Sequence, residues 1–193
     1  MKSNVRFATI EDKEEIKKII DEGISQDYYS LDDIEEYITN ESKYLLVVTS
    51  EDNKPLAAMF CIKGRLIDMC KNEHIPFSDD VFSKYTEDTK TIVYKTASTY
   101  KNVRNNGYVG MLFEEYNTIF NNIDHDLRIG LAIVYPDGKI PIKKHVDAYN
   151  FKPVKLFKHP WNTLKSYCSY CGKEYCECDG LLYIKESISE QQI

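Results

Sequence analysis

The stretch from Thr91 to Phe120 leaves the fold little freedom. Thr91–Thr99 is a β-branched run that reads as a strand, while Tyr108, Leu112, Tyr116, Ile119 and Phe120, spaced by three and four, define the inner face of a long helix starting near Gly107. The turn between them, Thr99-Tyr-Lys-Asn-Val-Arg104-Asn-Asn-Gly107-Tyr-Val-Gly110, is basic and contains glycine. A strand joined to an amphipathic helix in this way lays the helix on a sheet. The first amides of that helix lack internal partners, and with the helix dipole they favour an anion, to which Lys101 and Arg104 add charge. An ordinary helix start shares these features, so the stretch constrains architecture more firmly than ligand.

The remaining elements fall in around this unit. Val5–Ala8 alternates like a short strand, and Thr9-Ile-Glu-Asp12 is a capping-box pattern opening a helix with Ile16, Ile19, Ile20 and Ile24 on one face and Gly23 near its end. A second box, Ser30-Leu-Asp-Asp33, with Tyr29 and Ile34 as a hydrophobic staple, opens a helix whose inner face is Leu31, Ile34, Tyr37 and Ile38. Tyr44–Thr49 and Leu56–Lys63 read as a hairpin of buried strands, and Leu127–Tyr135 as a fifth strand. Ile140–Tyr149 reads as a helix with its start fixed by Pro141, and Phe151–Phe157 and Leu181–Lys185 as the last two strands. Residues 66–90, with Pro76, Asp79, Asp80 and a helical turn around Val81–Tyr85, form an insert that is either a lid or surface decoration. The order predicts an α/β domain spanning residues 1–193, a mixed sheet covered by helices on both faces.

Composition narrows the function classes. Apolar and charged fractions of 42% and 29% exclude a disordered tail and a membrane bundle, and the longest apolar run, Leu56 to Ile62, is far short of the roughly 20 residues a spanning helix needs. The start, Met1-Lys-Ser-Asn-Val-Arg-Phe-Ala, has no apolar leader region, which predicts a cytoplasmic protein with reduced thiols. A net charge of −6 argues against nucleic-acid binding through phosphate neutralisation. Residues 1–42 hold twelve acids against five bases. That excess is either two solvated helix faces or an acidic approach for a cationic small molecule.

Between the last two strands, Cys168-Ser-Tyr-Cys171-Gly-Lys-Glu-Tyr-Cys176-Glu-Cys178 places four thiols in eleven residues. A Cys-x-x-Cys-Gly turn presents two sulfurs to one tetrahedral ion, and a following Cys-x-Cys pair can complete an all-thiolate zinc site in a loop spanning 166–180. Four thiolates leave no open coordination position, so such a zinc is structural. Ordinary reduced thiols and disulfides are the other two readings. Tyr167, Tyr170 and Tyr175 interleave with the cysteines, but Lys165 and Lys173 face Glu174, Glu177 and Asp179, which disfavours a nucleic-acid knuckle. Cys61 reads as a buried strand residue, and Cys70 and His74 are isolated.

The element order, together with Arg104-Asn-Asn-Gly107-Tyr-Val-Gly110 and the later Tyr149-Asn-Phe-Lys-Pro-Val154, resembles the GNAT superfamily of acetyl-CoA-dependent N-acetyltransferases. The first segment is similar to that family's Arg/Gln-x-x-Gly-x-Gly/Ala pyrophosphate loop. The second is similar to its Gly-Phe signature before the final strands. The resemblance implies a mostly antiparallel mixed sheet with a V-shaped gap between Thr91–Thr99 and Leu127–Tyr135 for acetyl-CoA. Ala97, Ser98 and Thr99 would pair with the pantetheine arm, and Arg104, Asn105, Asn106, Gly107, Tyr108, Val109 and Gly110 would surround the pyrophosphate.

It also implies that the first two helices and the hairpin carrying the cysteines flank the acceptor, a primary amine of a small cationic molecule. Two positions depart from the pattern. Val109 stands where the family prefers Gly or Ala, and Val146 stands where it often has a tyrosine that protonates the leaving thiolate. Tyr149 and His145, on the same helix, are the substitute donors, each alternatively a packed aromatic or a surface histidine. No acid lies within Thr91–Tyr100 to act as base, and Asp27, Asp32 and Glu36 on the first helices are equal candidates. The function implied is direct acetyl transfer in a ternary complex; a catalytically degenerate acyl-CoA-binding or interaction module with a zinc loop is the alternative. A homodimer is compatible with either.

Overall fold

Alternating apolar strands need partners on both edges and cover on both faces, and the computed structural model, which describes residues 3–73, 75–76, 78–162 and 167–187, supplies both. His74, Lys165 and the first two residues of the chain lie outside the described residues. The strands are β1 (Asn4–Phe7), β2 (Lys43–Thr49), β3 (Pro55–Arg65), β4 (Lys90–Thr99), β5 (Leu127–Val134), β6 (Lys152–Phe157) and β7 (Asp179–Glu186). The helices are α1 (Lys13–Gly23), α2 (Leu31–Thr39), α3 (Leu66–Asn72), α4 (Tyr108–Asn121) and α5 (Lys143–Ala148). One seven-stranded sheet runs β1-β2-β3-β4-β5-β7-β6. Every neighbouring pair is antiparallel except β4 and β5.

Each face of the sheet carries its own core. Ile16 and Ile20 of α1 and Ile34 and Tyr37 of α2 pack with Leu45, Val47, Phe60 and Val93, and Tyr29 stacks on Phe60 with ring centroids 4.7 Å apart. On the opposite face Leu112, Phe113, Tyr116 and Phe120 of α4 meet Leu46, Met59, Ile92 and Tyr94. The Tyr116 hydroxyl donates to the carbonyls of Met59 and Tyr44, at 2.6 and 2.8 Å, and accepts from the amide of Leu46 at 3.1 Å. This satisfies a buried polar group while pinning α4 across β2 and β3. Arg128 is also buried, held by Asn117, Asn121 and His125.

Both capping boxes form. Ser30 accepts from the Asp33 amide at 3.1 Å, and the Asp33 carboxylate takes the Ser30 amide at 2.8 Å. The Thr9 box opens a single 3-10 turn, Ile10–Asp12, before α1 begins. Gly23 ends α1 because of close approach: a methyl there would sit 1.9 Å from Ser98 Oγ. The acidic outer faces of these helices are tied up in ion pairs, Lys17 with Asp21 and Asp27, Lys13 with Glu35, and Lys43 with Glu36.

Two expectations need correction. The helix expected over Ile140–Tyr149 is the single short turn of α5, Lys143–Ala148, and Pro141 lies before it in a turn rather than at its first position. The insert at 66–90 is packed into the fold rather than laid on its surface. Leu66, Met69, Cys70, Ile75 and Phe82 are buried in the core of the α1/α2 face, and the helical turn expected around Val81–Tyr85 is a 3-10 turn at Asp80–Phe82. Its apolar residues carry no sustained period, so sequence pattern alone missed α3.

Candidate functional site

The sheet opens in its middle. β4 and β5 pair in parallel only from Thr91–Leu127 to Tyr94–Gly130, after which β4 runs on to Thr99 and β5 to Val134 without meeting. The split begins where β4 bulges: Phe60 pairs with Thr96 and Cys61 with Tyr94, leaving Lys95 as the extra residue. A bulge sharpens twist and re-aims side chains, which turns the end of β4 away from β5. The backbone edges beyond the split are unpaired with each other, a place where an extended ligand can take up sheet-like hydrogen bonds. A cavity of ≈ 180 Å³ occupies the gap, lined by Lys95, Thr96 and Ala97 of β4, Gly130 to Ile133 of β5, and Phe113 and Val146 from the α4 side.

At the end of β4 the chain makes a 3-10 turn, Lys101–Val103, then passes Asn105 at φ +68° and Gly107 at φ +84° into α4. Both left-handed residues are of types that tolerate that region. Arg104, Asn105, Asn106 and Gly107 are exposed, and the α4 N-terminus has no side-chain cap. Helix-start amides without such a cap are suited to an anion. Val109 packs against the core below α4. Ser98 donates its hydroxyl to the Ile19 carbonyl at 3.2 Å, so its side chain serves α1 while its backbone stays in β4. Asn150, at the position of the family's glycine, has φ +61°.

His145 and Tyr149 are not among the residues lining the cavity. Both rings stack on Phe113, with centroids 5.5 and 6.3 Å away. Burial and the charge of Lys144 hold the His145 imidazole below its ordinary pKa; burial and Glu114 push Tyr149 up. Val146 does line the cavity. Asp27, Asp32 and Glu36 do not line it either. The carboxylate that does is Glu73, just past α3 in the insert, a residue for which the sequence offered no signal. The buried hydroxyl of Tyr94, another lining residue, has no hydrogen-bond partner among the described residues.

The four cysteines converge on a single point. Their sulfurs all lie within 4.8 Å of one another, with Cys171 to Cys178 at 3.4 Å and Cys176 to Cys168 at 3.7 Å. A tetrahedron of thiolates about 2.3 Å from a central zinc has edges of roughly 3.8 Å, whereas a disulfide holds its sulfurs about 2.05 Å apart. The arrangement suits a metal ion. Gly172 at φ +67° lets the chain curl back, and the amide of Cys171 donates to Cys168 Sγ at 3.4 Å. Cys176 also donates to that sulfur, which pulls the Cys168 thiol down to about 5 against the effect of burial, while Cys176 is pushed up.

This loop is fastened to the end of α1. Ser25 donates its hydroxyl to the Tyr167 carbonyl at 2.6 Å, and the Ser169 amide donates to the Ile24 carbonyl at 3.0 Å. Tyr170 stacks flat on Tyr135 at 3.6 Å. Ile24, Ser25, Cys168, Ser169, Tyr170 and Cys176 all line the cavity, so the cysteine loop and the end of α1 together make one of its walls.

No protein-family model and no curated protein matches the sequence. Solved structures do match in three dimensions. Arabidopsis thaliana NAA60 in complex with a bisubstrate analogue superposes with a TM-score of 0.68 at 10% identity, covering 96% of this chain and 98% of that one. The NatC complex bound to Gag peptide and CoA gives 0.67 at 14% identity, covering 97% and 100%. Mosquito arylalkylamine N-acetyltransferase like 5b gives 0.64 at 10% identity, covering 96% and 100%. The parallel pair that splits at a bulge, the open helix N-terminus beside it and these superpositions agree: the chain has the fold of the GNAT acetyltransferases.

Proposed function

We propose that this protein transfers the acetyl group of acetyl-CoA to a primary amine of a small cationic molecule, by direct attack in a ternary complex. The observation that carries the reading is the β4/β5 split with its bulge at Lys95, opening beside the uncapped N-terminus of α4. Ala97, Ser98 and Thr99 lie on the run of β4 that is paired with β3 but not with β5, and supply backbone partners for the pantetheine arm. The amides from Arg104 to Gly110 hold the pyrophosphate, with the Arg104 guanidinium adding a charge-assisted contact. Positioning of the thioester against the amine in a confined cavity supplies much of the rate. Zinc at Cys168, Cys171, Cys176 and Cys178 is structural and holds the wall that the loop forms with α1, and a reducing compartment such as the cytoplasm suits four thiols kept free for the metal.

Val146 favours a second reading, an acyl-CoA-binding module without turnover, because an aliphatic side chain lines the cavity at the position of the family's usual proton donor. Calorimetric titration of the reduced, metal-replete protein with acetyl-CoA and then CoA tests the cofactor site. A Kd near micromolar, about −8 kcal/mol, supports it. Absence of heat and of a thermal shift at millimolar ligand removes both readings. Binding without transfer to any primary amine leaves the second.

A further inference from the structure

Glu73 is a carboxylate in an apolar cavity. Its side chain is 10% exposed, and Oε1 is buried with no hydrogen-bond donor among the described residues. Lys95 Nζ lies 3.0 Å from that oxygen, off the hydrogen-bonding direction, on a side chain 15% exposed. Lys95 is the bulged residue of β4, placed where the strands part. Lys95 pairs the charge, but Oε1 keeps lone pairs free for a second cationic donor. Its surroundings are aromatic and apolar: Tyr28, Ile24, Trp161 and Tyr170 share the cavity.

We infer that Glu73 receives the ammonium group of the acceptor and takes the proton that acetylation requires it to lose. The inference rests on the acetyl-transfer reading and deepens it to a substrate class, a primary monoamine on an apolar or aromatic body. Glu73 is the single carboxylate among the lining residues, so the second ammonium of a polyamine would find no acid. Glu73 accepts one proton from the ammonium, and the neutral nitrogen attacks the thioester carbonyl. The C–N bond forms, the C–S bond breaks, the second nitrogen-bound proton passes to the departing sulfur, and Glu73 returns its own proton to solvent. The other titratable groups that feel Glu73 are Tyr28 and Tyr29 ahead of α2, Tyr37 of α2 and Cys70 of α3, and burial, the larger influence, pushes every one of them up, so all stay neutral near pH 7.

The test compares wild type, Glu73→Gln and Glu73→Asp, each first titrated with acetyl-CoA and then assayed with 2-phenylethylamine and with spermidine. The expected result is unchanged acetyl-CoA affinity in all three, which also certifies folding. With 2-phenylethylamine, kcat near pH 7 falls about 100-fold in Glu73→Gln and is partly restored in Glu73→Asp. The deficit of Glu73→Gln narrows as pH rises toward the amine's own pKa, because the acceptor then arrives neutral. Turnover of Glu73→Gln within twofold of wild type overturns the role of Glu73. A wild type that binds acetyl-CoA yet prefers spermidine, or acetylates neither amine, overturns the substrate class. A wild type that does not bind acetyl-CoA takes the inference down with the reading beneath it.

Discussion

Ser169, in the middle of the cysteine loop, donates its hydroxyl to the carbonyl of Gly23 at the end of α1, 3.1 Å away. The two residues are 146 positions apart, and their contact joins the cysteine loop to the end of α1, both of which line the cavity. Whatever holds the four sulfurs together therefore also holds this wall.

Removing the proposed zinc should loosen that wall before it unfolds the sheet. Cys171→Ser, or chelation of wild type, is expected to lower metal content and Tm together, the latter by about 5–10 °C for a loss of roughly 2–3 kcal/mol. Hydrogen exchange should show the Ser169 amide, which donates to Ile24, losing protection while the Tyr94 and Ile129 strand region keeps it. Full stability and unchanged exchange in metal-free protein would retire the structural zinc.

Gly23 allows α1 to touch β4. In Gly23→Ala the new methyl falls 1.9 Å from Ser98 Oγ and 3.3 Å from the Thr99 carbonyl oxygen, and overpacking of this kind costs about 1–3 kcal/mol. Ser98→Ala in the same chain removes the nearer clash along with the bond to Ile19, so the two substitutions should couple favourably in a double-mutant cycle. Chemical denaturation of the four proteins measures the coupling; strict additivity would show that α1 shifts instead.

Arg6 grips Asp12 with two hydrogen bonds, at 2.6 and 2.9 Å, and Asp12 also takes the Thr9 amide at 2.8 Å. Burial alone would raise the Asp12 pKa, but these donors outweigh it and hold the group below its ordinary value. A carboxylate depressed on folding stabilises above its unfolded pKa, near 4, and loses that contribution as pH falls through the folded value. Asp12→Asn should cost about 1–3 kcal/mol at pH 7, and the deficit should shrink at about pH 2–3. Urea denaturation at the two pH values measures it, and an equal deficit at both would assign the effect to packing.

Tyr149 stacks on Phe113 and is not among the residues lining the cavity. Tyr149→Phe keeps that stack, so turnover is expected to stay within about twofold of wild type, with the departing sulfur protonated by the acceptor nitrogen. A tenfold or greater fall in kcat at unchanged acetyl-CoA affinity would instead restore the tyrosine as the donor to the thiolate.

The chain's own order of residues settled what depends on near neighbours. The Ser30 and Thr9 boxes, the inner faces of α1, α2 and α4, and the curl of Cys168 to Cys171 were legible because each is made within a turn or two of backbone. Asn150 was matched to a glycine position through the family resemblance, and its φ of +61° suits such a position. Tertiary structure alone decided where the strands part, because the bulge at Lys95 exists only against the register of β3. It alone brought Glu73, in a segment with no periodic signal, to the cavity wall beside Lys95. The clamp between Ser169 and Gly23 was likewise beyond reach: it joins residues 146 positions apart through a hydrogen bond that no short-range pattern encodes.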